Sequence, residues 1–329
     1  MGGNISGFGS AVRYGIKHSS AVLVWLCLMV IAVGATLSAG RGEAAGGMTV
    51  TLLAQGGATF TDPLDATPDP TATMVYFVAR AANGGPGVFR VPTAGGPVAS
   101  VLIGAPLAAP RGVVFSADGQ TLYVADPEAA RGGAVFALPV AGGPASVVPG
   151  TLGTRPRALD LKRTGQGDAL YVAGVDPRNR RAEVWRFAPI GTGARTSLLR
   201  GSPLMVADGI AVASSDEVYV AGRSGHGDRT DVVLRIDGGK HQRLVGSVRL
   251  GSPAGMALTP DESQLLISSL ADDGTSQVLI VDLASRSLST FNDVIGANRG
   301  SGGLHRAHEA NLYAWCGVGR QGGVYGVGP

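Results

Sequence analysis

Seven side chains in this 329-residue chain have the types and placement to build a polar site: Asp62, Asp65, Asp160, Asp208, Arg111, Arg157 and His305. Carboxylates crowded into a cleft have raised pKa values, and an imidazole beside one is favoured as imidazolium. Asp65, Asp160 and His305 are therefore the candidates for moving protons. Asp62, Arg111, Arg157 and Asp208 are the binding candidates, with the two guanidiniums as anion clamps. Asp62 and Asp208 are also the acids that a metal would have to use. A hard cation wants several converging oxygens, and two acids beside two arginines make a poor cage. No cofactor is assigned on this basis. The competing reading is that all seven are solvated or salt-bridged groups without chemistry.

What must position these residues is a repeat. Val75-Tyr76, Leu122-Tyr123, Leu170-Tyr171, Val218-Tyr219, Leu265-Leu266 and Leu312-Tyr313 lie 47, 48, 48, 47 and 47 residues apart. Each period carries four short apolar runs parted by turns. In the second period these are Pro110 to Phe115, Thr121 to Ala125, Ala134 to Leu138 and Ala145 to Val148. Ala117-Asp118-Gly119 is a hairpin turn, because Asp-Gly tolerates positive φ at little cost. Nothing from residue 48 onward shows a sustained helical period. Four strands in a period of this length is the pattern of a propeller blade. The expected fold is all-β: a six-bladed β-propeller with four antiparallel strands per blade.

The sixth period is incomplete, with only 16 residues after Tyr313. Met48 to Leu53 precedes the first blade and has no partner there. It is expected to supply the outer strand of blade six, closing the ring and removing open sheet edges. Aligning the innermost strands then gives two sets. Leu64, Val113, Leu159, Ile210, Met256 and Leu304 are bulky and should pack between blades. Asp65, Val114, Asp160, Ala211, Ala257 and His305 are small or polar and are expected to face the central channel. Asp62, Arg111, Arg157 and Asp208 fall at the channel mouth. His305 and Asp65 become neighbours if blade six adjoins blade one.

Phe115-Ser116-Ala117-Asp118-Gly119-Gln120-Thr121-Leu122-Tyr123 resembles the blade signature of six-bladed TolB-like propellers, and Leu258-Thr259-Pro260-Asp261-Glu262 begins a second copy. That superfamily includes the NHL-repeat, TolB and SMP-30/gluconolactonase groups. The resemblance covers residues 48–329. It implies the fold and leaves the activity open. Its lactonase branch holds a divalent cation, usually calcium, through a Glu, Asn residues and an Asp. The Glu belongs to a Glu-Gly-Pro element, and this chain has Thr61-Asp62-Pro63 there. Asp208-Gly209 matches the branch's Asp-Gly element, but no Asn begins the other innermost strands, where Arg111, Arg157, Ala254 and Gly302 stand. The resemblance thus implies either a non-catalytic binding module or a lactonase-like hydrolase with a divergent site.

Residues 1–45 read as a signal peptide or membrane anchor, and residues 46–329 as the propeller. Arg13, Lys17 and His18 flank an uncharged run from Ala21 to Ala39, with small residues after it, the order of an export signal. The product is expected to be secreted or periplasmic, or held at the membrane if residues 21–39 stay uncleaved. Cleavage after Ala44 leaves 24 basic against 23 acidic residues, which gives no support for nucleic-acid binding. The expected partner is a protein, peptide or glycan. Cys316 is then the only cysteine, beside Trp315 in a strand, and reads as core filler.

Lesser motifs read as loops. Gly317-Val318-Gly319-Arg320-Gln321-Gly322 matches a dinucleotide fingerprint but lacks the helix that must follow. His308-Glu309 falls in a turn. Ser224 to Arg229 is too compact for a preorganised triad, and Asp272-Asp273-Gly274 is a turn.

Overall fold

The computed structural model describes residues 42–43, 47–225, 230–290, 300–307 and 310–328. Contacts divide the chain into Met1–Ser38 and Ala39–Pro329, and all the described residues belong to the second unit. The run from Ala21 to Ala39, the loop with His226 and Asp228, and His308-Glu309 lie outside the described residues.

Two strands precede the repeats, β1 (Gly42–Glu43) and β2 (Thr49–Gln55). Blade one is β3 (Phe60–Pro68), β4 (Met74–Ala81), β5 (Pro86–Pro92) and β6 (Ala99–Ile103). Blade two is β7 (Gly112–Phe115), β8 (Thr121–Asp126), β9 (Ala134–Pro139) and β10 (Ser146–Val147). Blade three is β11 (Pro156–Thr164), β12 (Gly167–Asp176), β13 (Arg181–Phe187) and β14 (Arg195–Arg200). Blade four is β15 (Leu204–Val212), β16 (Val218–Ser224), β17 (Asp231–Asp237) and β18 (Lys240–Val248). Blade five is β19 (Met256–Leu258), β20 (Gln264–Leu270), β21 (Ser276–Asp282) and β22 (Leu288–Thr290). Blade six is β23 (Ser301–Arg306), β24 (Tyr313–Gly317) and β25 (Gly323–Gly328), completed from outside by β2 and then β1.

The ring is thus a six-bladed propeller closed by its N-terminal strand. Val50 stands opposite Val327, and Leu52 opposite Tyr325. β2 covers the free edge of β25, whose residues are all buried, and β1 in turn pairs with β2.

The repeated apolar pair follows from packing. Successive residues of a strand point to opposite faces, and in a ring both faces of a blade press on neighbours. Leu122 therefore joins the cluster between blades one and two, and Tyr123 the cluster between two and three. Six such clusters fill the six seams. The closing seam is aromatic. Phe60 meets Phe77 edge-on at 4.8 Å, and Phe77 stacks on Phe89 at 5.5 Å. Contacts of this kind contribute about 0.5–1.5 kcal/mol each beyond the area they bury.

Candidate functional site at the channel and its mouth

The innermost strands press both faces on neighbouring blades, and Val114, Asp160, Ala257 and His305 of the expected channel set also border the central cavity. Val114, Ala211 and Ala257 are buried in seams just as Val113, Ile210 and Met256 are. One set meets the preceding blade and the other the following blade. Asp65, expected in the channel, is 2% exposed and lies in a seam, whereas His305, 7% exposed, reaches both the seam and the cavity at the ring centre. The bulge between Thr61 and Asp65 also shifts blade one by two residues. Thr67 stands opposite Tyr76 where Val114 stands opposite Tyr123, so Asp65 is the counterpart of Gly112.

Asp65 occupies space that glycine leaves open. A Cβ on Gly303 would lie 1.5 Å from Asp65 Oδ1. Oδ1 accepts the Ala66 amide at 3.0 Å, and Oδ2 accepts the Val113 amide at 2.8 Å. His305 Nε2 lies 3.1 Å from the same Oδ2. Burial opposes the imidazolium, but the charge and hydrogen bond of Asp65, with the charge of Asp160, outweigh it and raise the His305 pKa. The juxtaposition of His305 and Asp65 read from ring closure is thus present, as a buried ion pair between blades six and one.

Asp160 repeats the Asp65 device two blades on. Its Oδ2 accepts the Val212 amide of blade four at 2.7 Å, and its Oδ1 accepts the Leu161 amide at 2.8 Å. A cavity of about 70 Å³ at the ring centre is lined from five blades, by Val114, Asp160, Val212, Ala257, Glu262 and His305 among others. As it stands this is space for a few waters.

At the opposite end of the innermost strands, Arg157 and Asp208 form an ion pair. They line a larger cavity of about 250 Å³, with Arg223, Asp231, Leu250 and Ser252. Arg223 Nε in turn reaches Asp231 Oδ1 at 3.4 Å. Arg111 sits in the field of Arg157, Asp208 and Glu128. Burial first, and then the like charge of Arg157, lower its pKa, against the pull of Asp208 and Glu128. The Arg111 side chain makes no hydrogen bond or ion pair with a described residue. Asp62 has φ +49° and accepts the Thr61 hydroxyl at 3.2 Å.

Sequence reasoning passed over Asp126, which is fully buried. Its carboxylate accepts the amides of Ala108 (2.6 Å), Ala109 (3.0 Å) and Glu128 (3.0 Å), and so holds the loop that delivers Arg111. The available signal was an acid ending an otherwise apolar strand, Leu122-Tyr123-Val124-Ala125-Asp126.

The donor set does not fit a divalent cation. Asp208 is committed to Arg157 and Asp65 to His305 and backbone amides. Among the described residues no three His, Cys, Asp or Glu side chains are grouped to hold a metal. Gly317 to Gly322 forms a loop between β24 and β25, with no helix after it. Asp272 to Gly274 is a turn, closed by the Gly274 amide on Ala271 O at 2.9 Å.

No protein-family model matches the sequence, and no curated protein is similar to it in sequence. Solved structures share the fold. XC5397 from Xanthomonas campestris, a gluconolactonase, superposes with a TM-score of 0.59 at 16% identity, over 87% of this chain and 91% of that one. The PQQ-bound aldose sugar dehydrogenase of Streptomyces coelicolor gives 0.59 at 11% identity, over 87% and 99%. TolB from Acinetobacter baumannii gives 0.54 at 12% identity, over 70% of this chain and 54% of its own. The chain has the six-bladed fold that these proteins share. A hydrolase, an oxidoreductase and TolB on one architecture show that the fold does not select a reaction.

Proposed function

We propose that the chain is an exported, non-catalytic propeller that binds a protein, peptide or glycan through the loop face around its channel mouth. The observation that carries this is the Arg157–Asp208 ion pair. It removes the one acid that matched a lactonase cation site. Asp65 and Asp160 are likewise occupied with backbone amides of the next blade, the role of structural acids. Arg111 makes no hydrogen bond or ion pair with a described residue and lies in the field of the Arg157–Asp208 pair, which borders a cavity of about 250 Å³. Export is supported by the basic flank, apolar run and small residues of the leader.

Calorimetric titration with calcium and zinc, alongside a lactone hydrolysis assay, tests the reading. The expected result is no stoichiometric metal binding and no turnover above buffer. Turnover that disappears in Asp208→Asn overturns it.

One observation favours a second reading, a lactonase-like hydrolase with a divergent channel site. His305, paired with Asp65, borders the central cavity together with Asp160 and Glu262. XC5397, with the same fold, is a gluconolactonase. Turnover that survives Asp208→Asn and fails in His305→Asn would select this reading.

A further inference from the structure

Positive charge is concentrated on blade three. Residues 151–200 hold ten basic and four acidic side chains, a balance of +6, where the whole chain has +3. Arg155 precedes β11, Arg178, Arg180 and Arg181 lie at the β12–β13 turn, and Arg200 ends β14. All five lie at the blade end that carries the channel mouth. Arg131 of blade two adjoins them, since the Arg155 amide donates to Gly132 O at 3.1 Å.

Neighbouring acids neutralise only part of this strip. Arg155 meets Glu128 at 3.1 Å, and Arg200 meets Glu183 at 3.0 Å. The side chains of Arg131, Arg178, Arg180 and Arg181 are exposed and make no hydrogen bond or ion pair with a described residue. Asp176, the acid nearest in sequence, is taken by the Arg178 amide at 2.9 Å and Asn179 Nδ2 at 3.0 Å.

The backbone adds an independent sign. Arg131, Arg155 and Arg180 hold φ of +63°, +41° and +56°. Glycine adopts such angles at no steric cost, and this chain uses 52 glycines. Of the nine non-glycine residues with positive φ among the described ones, these three arginines cluster on the strip, with a fourth, Arg286, in blade five. Under the strip lies a pocket of about 140 Å³, bordered by Leu152, Pro177, Trp185, Arg178, Arg195 and Arg200, with Asp176 held by the Arg178 amide and Asn179, and Glu183 held by Arg200. Leu152 is 44% exposed.

We infer that this strip docks an acidic segment of a partner polypeptide, its carboxylates pairing with Arg178, Arg180 and Arg181 while an apolar side chain enters the pocket beside Leu152. Arginine forks suit carboxylates geometrically as well as by charge. Polypeptide is favoured over glycan or nucleic acid because none of the large hydrophobic residues exposed among the described ones is aromatic. The one ring bordering the pocket, Trp185, is 3% exposed and already faces the Arg195 guanidinium at 5.9 Å, which leaves no open ring face for a sugar or a base to stack on. The inference rests on the proposed binding function, and names the partner's chemistry on the same ring face.

Fluorescence anisotropy on the full-length chain tests it, with a fluorescein-labelled peptide of alternating Glu and Leu as probe. The matching Gln–Leu peptide, labelled polygalacturonate and a single-stranded oligonucleotide are the comparisons. The Glu–Leu peptide should bind best, and its affinity should fall about tenfold between 50 and 250 mM salt, as screening of an exposed charge array requires. Replacing Arg178, Arg180 and Arg181 together by Gln should weaken binding by about tenfold or more. Arg163→Gln, an exposed arginine at the other end of β11, should leave it unchanged. Arg180→Gly, which relieves the backbone, should fold normally and still weaken binding. Absence of peptide binding, equal weakening by Arg163→Gln, or tighter binding of polygalacturonate or oligonucleotide overturns the inference. Lactone turnover by the unaltered chain would instead sink the non-catalytic reading, whatever the peptide does.

Discussion

His305 Nε2 lies 3.1 Å from Asp65 Oδ2 across the seam where the last blade meets the first. The same oxygen accepts the Val113 amide at 2.8 Å, so one buried carboxylate ties together blades six, one and two. A charge in that position is tolerated because each of its oxygens has donors. The pair closes the inside of the ring as β2 closes the outside.

Removing the carboxylate should therefore cost stability more than activity. Asp65→Ala strands the Val113 amide and the imidazole, at about 3 kcal/mol for buried donors left unpaired. That corresponds to a fall of roughly 6–12 °C in Tm for a chain of this size. Gly303→Ala should act in the same direction, because its methyl would displace Asp65 Oδ1. Thermal unfolding followed by circular dichroism checks both. An Asp65→Ala midpoint within about 2 °C of the parent would show that Asp65 is not a tie.

The pair should also make stability depend on pH. The folded His305 pKa is raised above its ordinary 6.5. Its stabilising contribution is then complete below the unfolded value and is lost as pH rises through the raised folded value. Tm should decline on the alkaline side of about pH 6.5, and His305→Asn should flatten that slope. A parent profile that rises over this range would contradict the assignment.

Cys316 should be chemically silent in the folded protein. It is fully buried, and burial, followed by the charge of Asp65, pushes its thiol well above the ordinary range. Iodoacetamide labelling with peptide mapping should find it unmodified in native buffer and modified after denaturation. Rapid native labelling would mean that the seam between blades six and one opens readily.

Deleting residues 49–55 should leave β25 with an unpaired edge. The shortened chain is expected to aggregate, since a buried strand without a partner is a template for pairing. Light scattering after size exclusion would report a monomer only if blade six stands without β2.

The blade count and the closing strand were legible because a ring repeats its seams, and each seam needs the same apolar pair. Closure was visible as the missing partner of Tyr313 to Gly328 and the spare run near Val50. The polar residues were harder to place. Both faces of an inner strand meet blades, so a small or polar residue there need not reach the axis: Asp65 stays in a seam, while Val114, Asp160, Ala257 and His305 border the central cavity. Asp65 was also matched with Val114, because a bulge adds residues without altering the apolar pair that anchors the alignment. The Arg157–Asp208 contact joins blades three and four over 51 residues, a distance set by ring geometry and not by any local motif.

The pairing of Val50 with Val327 has a kinetic side. β2 finds β25 only after nearly the whole ring between them has been made. Contacts so distant in sequence form late and slow folding. Until that moment blade six is a three-stranded sheet with an open flank, which carries an aggregation risk. Exchange of backbone amide hydrogens during refolding would then protect the third and fourth blades before the sixth.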